Sequence, residues 1–228
     1  MTLKGRRIVV GGGTGDVGVG IVAALVDAGT HVIVPARDAG KAAALRDGVA
    51  DPSAVTVLGG APTDEAGAAL LRDRLGDLGP IDGAIASLGS WFSFGRLVDT
   101  PAEGFETAWR SLLLSHMLFA KAVIPVLPSG GRYVVINGAG SEAPVPQSSA
   151  VSIHAHAVSM VFETLKAEHP DLALHMLMLR SIIATRARPN PDPTWVTAEE
   201  VGRMCAWLFT PEGALTAGSV AGLHQKPA

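Results

Sequence analysis

Ile8-Val9-Val10-Gly11-Gly12-Gly13-Thr14-Gly15-Asp16-Val17-Gly18 carries a run of β-branched residues into a glycine-rich turn, and the turn opens into a helical pattern over 19–28. A strand, a tight turn and a helix in that order bring backbone N–H groups, with the positive end of a helix dipole behind them, up to a dinucleotide pyrophosphate. Gly12 permits the tight turn, Gly15 the close approach of a phosphate, and Gly18 the close packing of helix on strand. Thr14, Asp16 and Val17 stand in the same turn and complete the set expected to hold a nucleotide cofactor.

A glycine pattern alone is a weak signal in a chain with 27 glycines, so its context has to carry the inference. The helical pattern stops at Gly29, and a second strand, 31–34, follows at once and runs into Pro35-Ala36-Arg37. Arg37 lies about 20 residues beyond the turn, where an acidic residue would hold the ribose hydroxyls of NAD and an arginine the 2′-phosphate of NADP. NADP is the expected cofactor; the alternative is that Arg37 is a solvated loop charge.

Composition fits one α/β domain spanning 1–228. A chain of 228 residues buries about three quarters of its unfolded surface, and 48% hydrophobic content with few aromatics suits strands covered on both faces by Ala-rich helices. A net charge of −3 supplies no basic field for nucleic acid or anionic lipid. Cys205 is the sole cysteine, so no intrachain disulfide forms. A strand begins within a few residues of Met1 and the apolar runs are too short to span a bilayer, so neither a signal peptide nor a membrane span is expected, and the expected location is the cytoplasm.

Strand-like segments at 8–10, 31–34, 54–58, 83–86, 133–136, 174–179 and 219–223 alternate with helical patterns near 20–40, 40–50, 64–76, 102–127, 150–168 and 198–209. This rhythm predicts a Rossmann-like, doubly wound parallel sheet of about seven strands with helices on both faces. The Pro-rich stretch 186–193 sits between the sixth strand and its helix and reads as a loop or lid.

With these motifs in order, the chain resembles the short-chain dehydrogenase/reductase family over nearly its whole length. The turn has a Gly-x-x-Gly-x-x-Gly spacing, and Val32-Ile33-Val34-Pro35-Ala36-Arg37-Asp38 is similar to an NADP-type second strand. Gly79-Pro80-Ile81-Asp82-Gly83-Ala84-Ile85 resembles the approach to the fourth strand, and Gly130-Gly131-Arg132-Tyr133-Val134-Val135-Ile136-Asn137 the approach to the fifth. Ile182-Ile183-Ala184-Thr185 fits the segment whose Thr meets the nicotinamide carboxamide, and 215–220 fits the C-terminal strand. The family's Asn-Asn-Ala-Gly reads Ala86-Ser87-Leu88-Gly89 here, which keeps only Gly89, and the acidic residue that meets adenine falls at Ala61. On the same alignment the family's catalytic Asn, Ser, Tyr and Lys fall at Leu112, Gly138, Val151 and Ala155.

Hydride transfer to a carbonyl leaves an alkoxide that needs a proton, which the family takes from a Tyr whose pKa is lowered by a Lys and the nicotinamide ribose. Val151 and Ala155 supply nothing of the kind, and Tyr133, the sole tyrosine, lies in a buried strand segment. In Val151-Ser152-Ile153-His154-Ala155-His156 the two histidines point to different sides of a helix; His154 lies nearer the faces of Val151 and Ala155, so it is the candidate general acid. Asn137 and Ser141, at the mouth of the fifth strand, are candidates to polarise a carbonyl. The competing reading makes His116, His154 and His156 interfacial, because the resemblance implies a homodimer or homotetramer on the helices near 102–127 and 150–168. No metal is expected, since i, i+2 histidines share no helix face.

Arg180-Ser181 stands where the family has Pro-Gly, and Arg180 either clamps a substrate carboxylate or cofactor phosphate or is a solvated charge. Trp91-Phe92-Ser93-Phe94 follows Gly89 at the carboxyl edge of the fourth strand, where open α/β sheets place ligands. With Trp195 across the lid, Trp91, Phe92 and Phe94 suggest an apolar substrate; packing beneath a loop is the alternative. The expected activity is that of an atypical NADP-dependent oxidoreductase acting on a small apolar carbonyl or alcohol, with His154 or water giving the proton. The alternatives are a catalytically silent NADP-binding regulator or partner subunit and a non-redox enzyme on the same scaffold.

Overall fold

Val, Ile and Leu alternate along strands whose two faces are both covered, and this decides the layering. The computed structural model describes residues 2–188 and 190–227. The first half runs β1 (Arg7–Gly11), α1 (Gly18–Asp27), β2 (His31–Ala36), α2 (Ala39–Asp47), β3 (Val55–Gly59), α3 (Glu65–Asp77) and β4 (Gly83–Ala86). It continues with α4 (Ala102–Ala108), α5 (Ser115–Val123), β5 (Arg132–Gly138), α6 (Ser149–Glu168), β6 (Ala173–Arg180), β7 (Ile183–Ala184), β8 (Val196–Thr197), α7 (Ala198–Leu208), α8 (Pro211–Ala214) and β9 (Val220–His224). Seven strands pair in parallel in the order β3-β2-β1-β4-β5-β6-β9, the doubly wound α/β architecture that the alternation predicts. The order reverses between β1 and β4, and their carboxyl ends align with Gly11 opposite Ala86, which opens a crevice at that edge.

Ile8, Val10, Val134 and Leu177 face one core with α1 and α7, while Val9, Tyr133, Val135 and Met176 face the other with α3, α5 and α6. Burial pushes the Tyr133 phenol and the Cys205 thiol upward, which leaves both uncharged packing groups. Helix α1 crosses α7 at very short range: a methyl group on Gly202 would overlap the Gly20 carbonyl, and one on Gly20 would overlap Ala198.

Several boundaries differ from the periodicity. The pattern near 20–40 is α1, which ends at Asp27, followed by β2, which extends to Ala36. Asp51 caps a short 3₁₀ turn at Pro52–Ala54, so β3 begins at Val55. The pattern over 102–127 is not one helix. It passes through a π-helical segment, Trp109–Leu114, between α4 and α5, and tightens to 3₁₀ at Ile124–Val126 around Pro125. Side chains take up the carbonyls at the wide turn: the Ser115 hydroxyl donates to Ser111 O at 2.6 Å and the His116 ring approaches Leu112 O at 2.6 Å. The Pro-rich stretch holds an unforeseen two-stranded parallel ribbon, β7 with β8, at its ends; Pro189 within it lies outside the described residues.

The α1–α7 crossing predicts that Gly202→Val lowers stability by roughly 1–3 kcal/mol in urea unfolding, because the added methyls force the helices apart.

A second prediction concerns His175 on β6, which is 1% exposed with neither ring nitrogen partnered. Burial, helped by the Arg132 charge and opposed by the Thr216 carbonyl, pushes its pKa from 6.5 down to about 4. The unfolded chain therefore binds a proton that the native state refuses. The contribution is intact above about pH 6.5 and is lost as pH falls through about 4, to a limit on the order of 3 kcal/mol. Unfolding followed from pH 7 to 4 should show this slope, and His175→Leu should flatten it.

Candidate functional site

The glycine turn is set by two contacts that no side chain could survive. Gly12 has φ +76°, and a methyl group there would overlap the Ser87 carbonyl oxygen beyond β4. A methyl on Gly18 would overlap the Gly12 carbonyl, so Gly18 seats α1 on the turn itself rather than on the strand. Gly15 is open on its outer side, its nearest neighbour being Gly12 O at 3.1 Å. Helix α1 starts without a side-chain cap at Val17 and without an acidic residue in its first turn, which leaves its N-terminal dipole facing the crevice.

A groove begins at this turn. One arm, about 550 Å³, passes over β2 and is lined by Thr14, Arg37, Lys41 and Thr63. The other, about 580 Å³, passes β4 and β5 and is lined by Asp16, Val17, Gly18, Asn137, Val151 and Thr185. Gly12, Gly15, Lys41 and Gly89 line both arms, so the two are continuous. The structure thus gathers every residue expected to hold the cofactor into one groove. Its residues fit a dinucleotide: an unfilled glycine cradle for phosphates at the centre, cations toward one end, and a mostly apolar floor at the other.

The residues expected to perform chemistry are placed differently. His154 is not among those lining the groove; its Nδ1 sits 2.7 Å from Ala150 O, and its ring lies 6.4 Å from that of Phe105 on α4. Three residues beyond Val151 on α6, its side chain turns toward α4. His156 Nδ1 meets Ser141 O at 2.9 Å. Ser141 is buried outside the groove, its hydroxyl donating to Gly138 O at 2.8 Å. Asn137 lines the groove, yet its amide donates to Ala155 O and Ser159 Oγ and its carbonyl accepts from Gly138 N, so it ties β5 to α6 and has no capacity left for a carbonyl substrate.

Arg180 is neither a clamp nor a free charge. It makes a two-pronged bond to Glu142 at 2.7 and 2.5 Å, and the guanidinium holds the Glu142 carboxyl below its usual range. Its guanidinium lies over Gly222 of the edge strand β9, where a side chain would have to displace it. Among the aromatics, Trp91 lines the groove and is exposed. Phe92 and Phe94 stack on each other at 5.6 Å, and Phe94 fits beneath Gly104 of α4, so this pair packs under the loop. Trp195 lines neither arm.

Three groove residues used below escaped the sequence reading as site residues, the first being Lys41 on α2, which lines both arms. Arg188, from the Pro-rich segment, reaches the phosphate region with one nitrogen fixed 2.7 Å from Ile183 O. His116 lines the floor together with Leu112, Gly138, Val151 and Ala155. Its position one helical turn after Leu112 was the available signal. Burial pushes its pKa down, against the pull of the Leu112 and Ile136 carbonyls.

Comparison with known proteins places these features in context. A family model described as enoyl-(acyl carrier protein) reductase matches residues 14–169. A short-chain type dehydrogenase/reductase from Mycobacterium ulcerans superposes with a TM-score of 0.88 at 19% identity, covering 100% of this chain and 94% of that one. A short-chain dehydrogenase/reductase from Serratia marcescens superposes with a TM-score of 0.86 at 18% identity, covering 99% and 98%. A Pseudomonas aeruginosa structure described as an RhlG/NADP active-site complex superposes with a TM-score of 0.84 at 23% identity, covering 98% and 96%. No curated protein matches the sequence. Among the described residues, no helix is long and apolar enough to cross a membrane.

Proposed function

The chain belongs to the short-chain dehydrogenase/reductase family, and from that premise we propose that it is an atypical NADP-dependent oxidoreductase acting on a small apolar carbonyl or alcohol. The observation that carries this reading is the continuous groove, which joins a glycine cradle to an apolar floor. Arg37 and Lys41 line the arm over β2, no carboxylate among the described residues lines that arm, and a 2′-phosphate there would be met by charge of one sign. The Pseudomonas aeruginosa neighbour, described as an NADP complex, supports the same cofactor class.

Bound NADP supplies the hydride chemistry; the chain's residues bind, orient and exclude water. Leu112, Val151 and Trp91 give the substrate end apolar surface, which favours a substrate lacking charge. At the four aligned catalytic positions this chain has Leu112, Gly138, Val151 and Ala155, so proton transfer must use another group or water. That same substitution favours a second reading, an NADP-binding regulator or partner subunit without turnover.

Fluorescence titration tests the cofactor assignment. NADPH should bind at least tenfold more tightly than NADH, and Arg37→Ala should weaken NADPH about 10–100-fold while leaving NADH nearly unchanged, as expected for one charge-assisted phosphate contact. Equal affinities, or indifference to Arg37→Ala, would refute NADP specificity. A broad carbonyl and alcohol panel then separates the two readings, because a silent binder takes up NADPH and never turns it over.

We further propose a homodimer or homotetramer. Met117 on α5 and Ile153 and Met160 on α6 are exposed at 44%, 48% and 62%; the latter two, seven residues apart, share one face of α6, and we expect a second copy to cover these apolar side chains. Light scattering at micromolar concentration should give at least twice the 23.4 kDa chain mass, and Ile153→Glu with Met160→Glu should reduce it. A monomeric wild-type mass would rule the assembly out.

A further inference from the structure

We propose that Nε2 of His116 accepts the hydroxyl proton of a secondary alcohol bound in the groove, which makes His116 the catalytic base of an alcohol oxidation; this rests on the oxidoreductase reading above. The argument begins with the tautomer. Nδ1 lies 2.6 Å from the Leu112 carbonyl oxygen, a group that can only accept, so Nδ1 carries the hydrogen and the neutral ring presents a bare lone pair at Nε2. His116 is 3% exposed, and Nε2, covered at the groove floor, makes no hydrogen bond in the protein, the Ile136 carbonyl being the other backbone group that acts on the ring. Leaving a buried acceptor unpaired costs roughly 1–3 kcal/mol, which a hydroxyl hydrogen that parts the floor and reaches Nε2 would recover.

The surroundings narrow the assignment. Among the described residues lining the arm past β4 and β5, the buried side-chain atoms without partners are His116 Nε2 and Thr185 Oγ1. Of the two, Nε2 is the basic nitrogen and so the one able to take a proton from a hydroxyl group. Asn137 is bonded at both its nitrogen and its oxygen, and Ser141, outside the groove, donates to Gly138 O. Ser87 and Ser90 also line this arm, but a serine hydroxyl does not hold a proton taken from an alcohol near pH 7. The π-helical segment immediately before His116 is the local distortion that brings the Leu112 carbonyl to its ring, and such wide turns recur at functional sites.

The protonation state of the free ring sets its role in alcohol oxidation. Helix α6 contributes Val151, Ala155 and Val158 to the floor and β5 contributes Ile136 and Asn137, none of them ionisable. The ionisable side chains sharing this arm, Asp16, Lys41 and Arg188, come from the turn, α2 and the Pro-rich segment, and none exerts a charge effect on His116. Burial therefore keeps the ring neutral near pH 7, ready to take a proton rather than give one. In the step, the alcohol O–H bond breaks and its proton goes to Nε2, while the hydrogen on the carbinol carbon leaves with its electron pair to oxidised NADP. A carbonyl forms, NADP is reduced, and the imidazolium returns the proton to solvent.

His116→Asn separates this role from a structural one, because the Asn amide can still donate to the Leu112 carbonyl but has nothing at the Nε2 position. With oxidised NADP and cyclohexanol, the wild-type rate should rise with pH through a value below 6.5 and then level off. His116→Asn should lower kcat by about 10²–10⁴ and abolish that limb, with the melting temperature and NADP affinity nearly unchanged. Nitrogen-15 NMR of the full chain supplies a readout independent of turnover: Nε2 of His116 should resonate as an unprotonated nitrogen and shift when cyclohexanol is added to the NADP complex. Turnover retained in His116→Asn, or an Nε2 signal indifferent to cyclohexanol, overturns the proposal. Failure of the wild-type chain to bind NADP at all overturns the wider oxidoreductase reading instead.

Discussion

The closeness of the Gly12 backbone to the Ser87 carbonyl oxygen is the constraint on which the rest of the molecule depends. It joins the turn after β1 to the chain leaving β4, the two central strands between which the sheet reverses its order. Gly18 then rests α1 on the Gly12 carbonyl, so strand, turn and helix are seated in one geometry with room only for hydrogen at the contacts. Once the turn is fixed, the crevice at the strand ends follows from topology, and the positive end of α1 faces into it.

The groove that results is divided in chemical character. Over β2 it is cationic, through Arg37 and Lys41, while past β4 and β5 Arg188 and Lys41 stand beside Asp16. Toward α6 it is lined by Leu112, Val151 and Ala155, with the His116 ring set into the floor. The two arms thus differ in polarity along the length of the groove.

The layering was legible because it rests on local periodicity: alternating Val and Ile in 8–10 and 133–136, Gly at the turns, and Ala-rich amphipathic stretches between them. The groove at the glycine turn was legible for the same reason, since Gly12, Gly15, Gly18 and Arg37 lie close together along the chain. What escaped depends on partners distant in sequence or on side chains competing with the backbone. Arg180 is neutralised by Glu142, 38 positions earlier. Phe94 finds its place only because Gly104 leaves space beneath it. The break between α4 and α5 arises where Ser115 and His116 hold carbonyls that a regular helix would use itself, and no hydrophobic period records it. Reading that stretch as one helix also hid His116 and left His154 as the nearest imidazole to the aligned catalytic positions.

The fusion of α1 to α7 through Gly20 and Gly202 has a mechanical consequence. The residue that caps α7, Thr197, also belongs to β8, and a reciprocal pair of bonds with Glu200 locks it in place. The downstream root of the Pro-rich segment is thus anchored to α7, which packs on α1, the helix whose N-terminus faces the crevice. Upstream, β7 pairs with β8 and closes the base of the segment into a ribbon. A hinge at either root would have to break this frame, and the bond from Arg188 to the Ile183 carbonyl ties the start of the loop to it as well. The ends of the segment are thus clamped to the same helix pair that seats the glycine turn, so Thr185 and Arg188 keep their register with that turn.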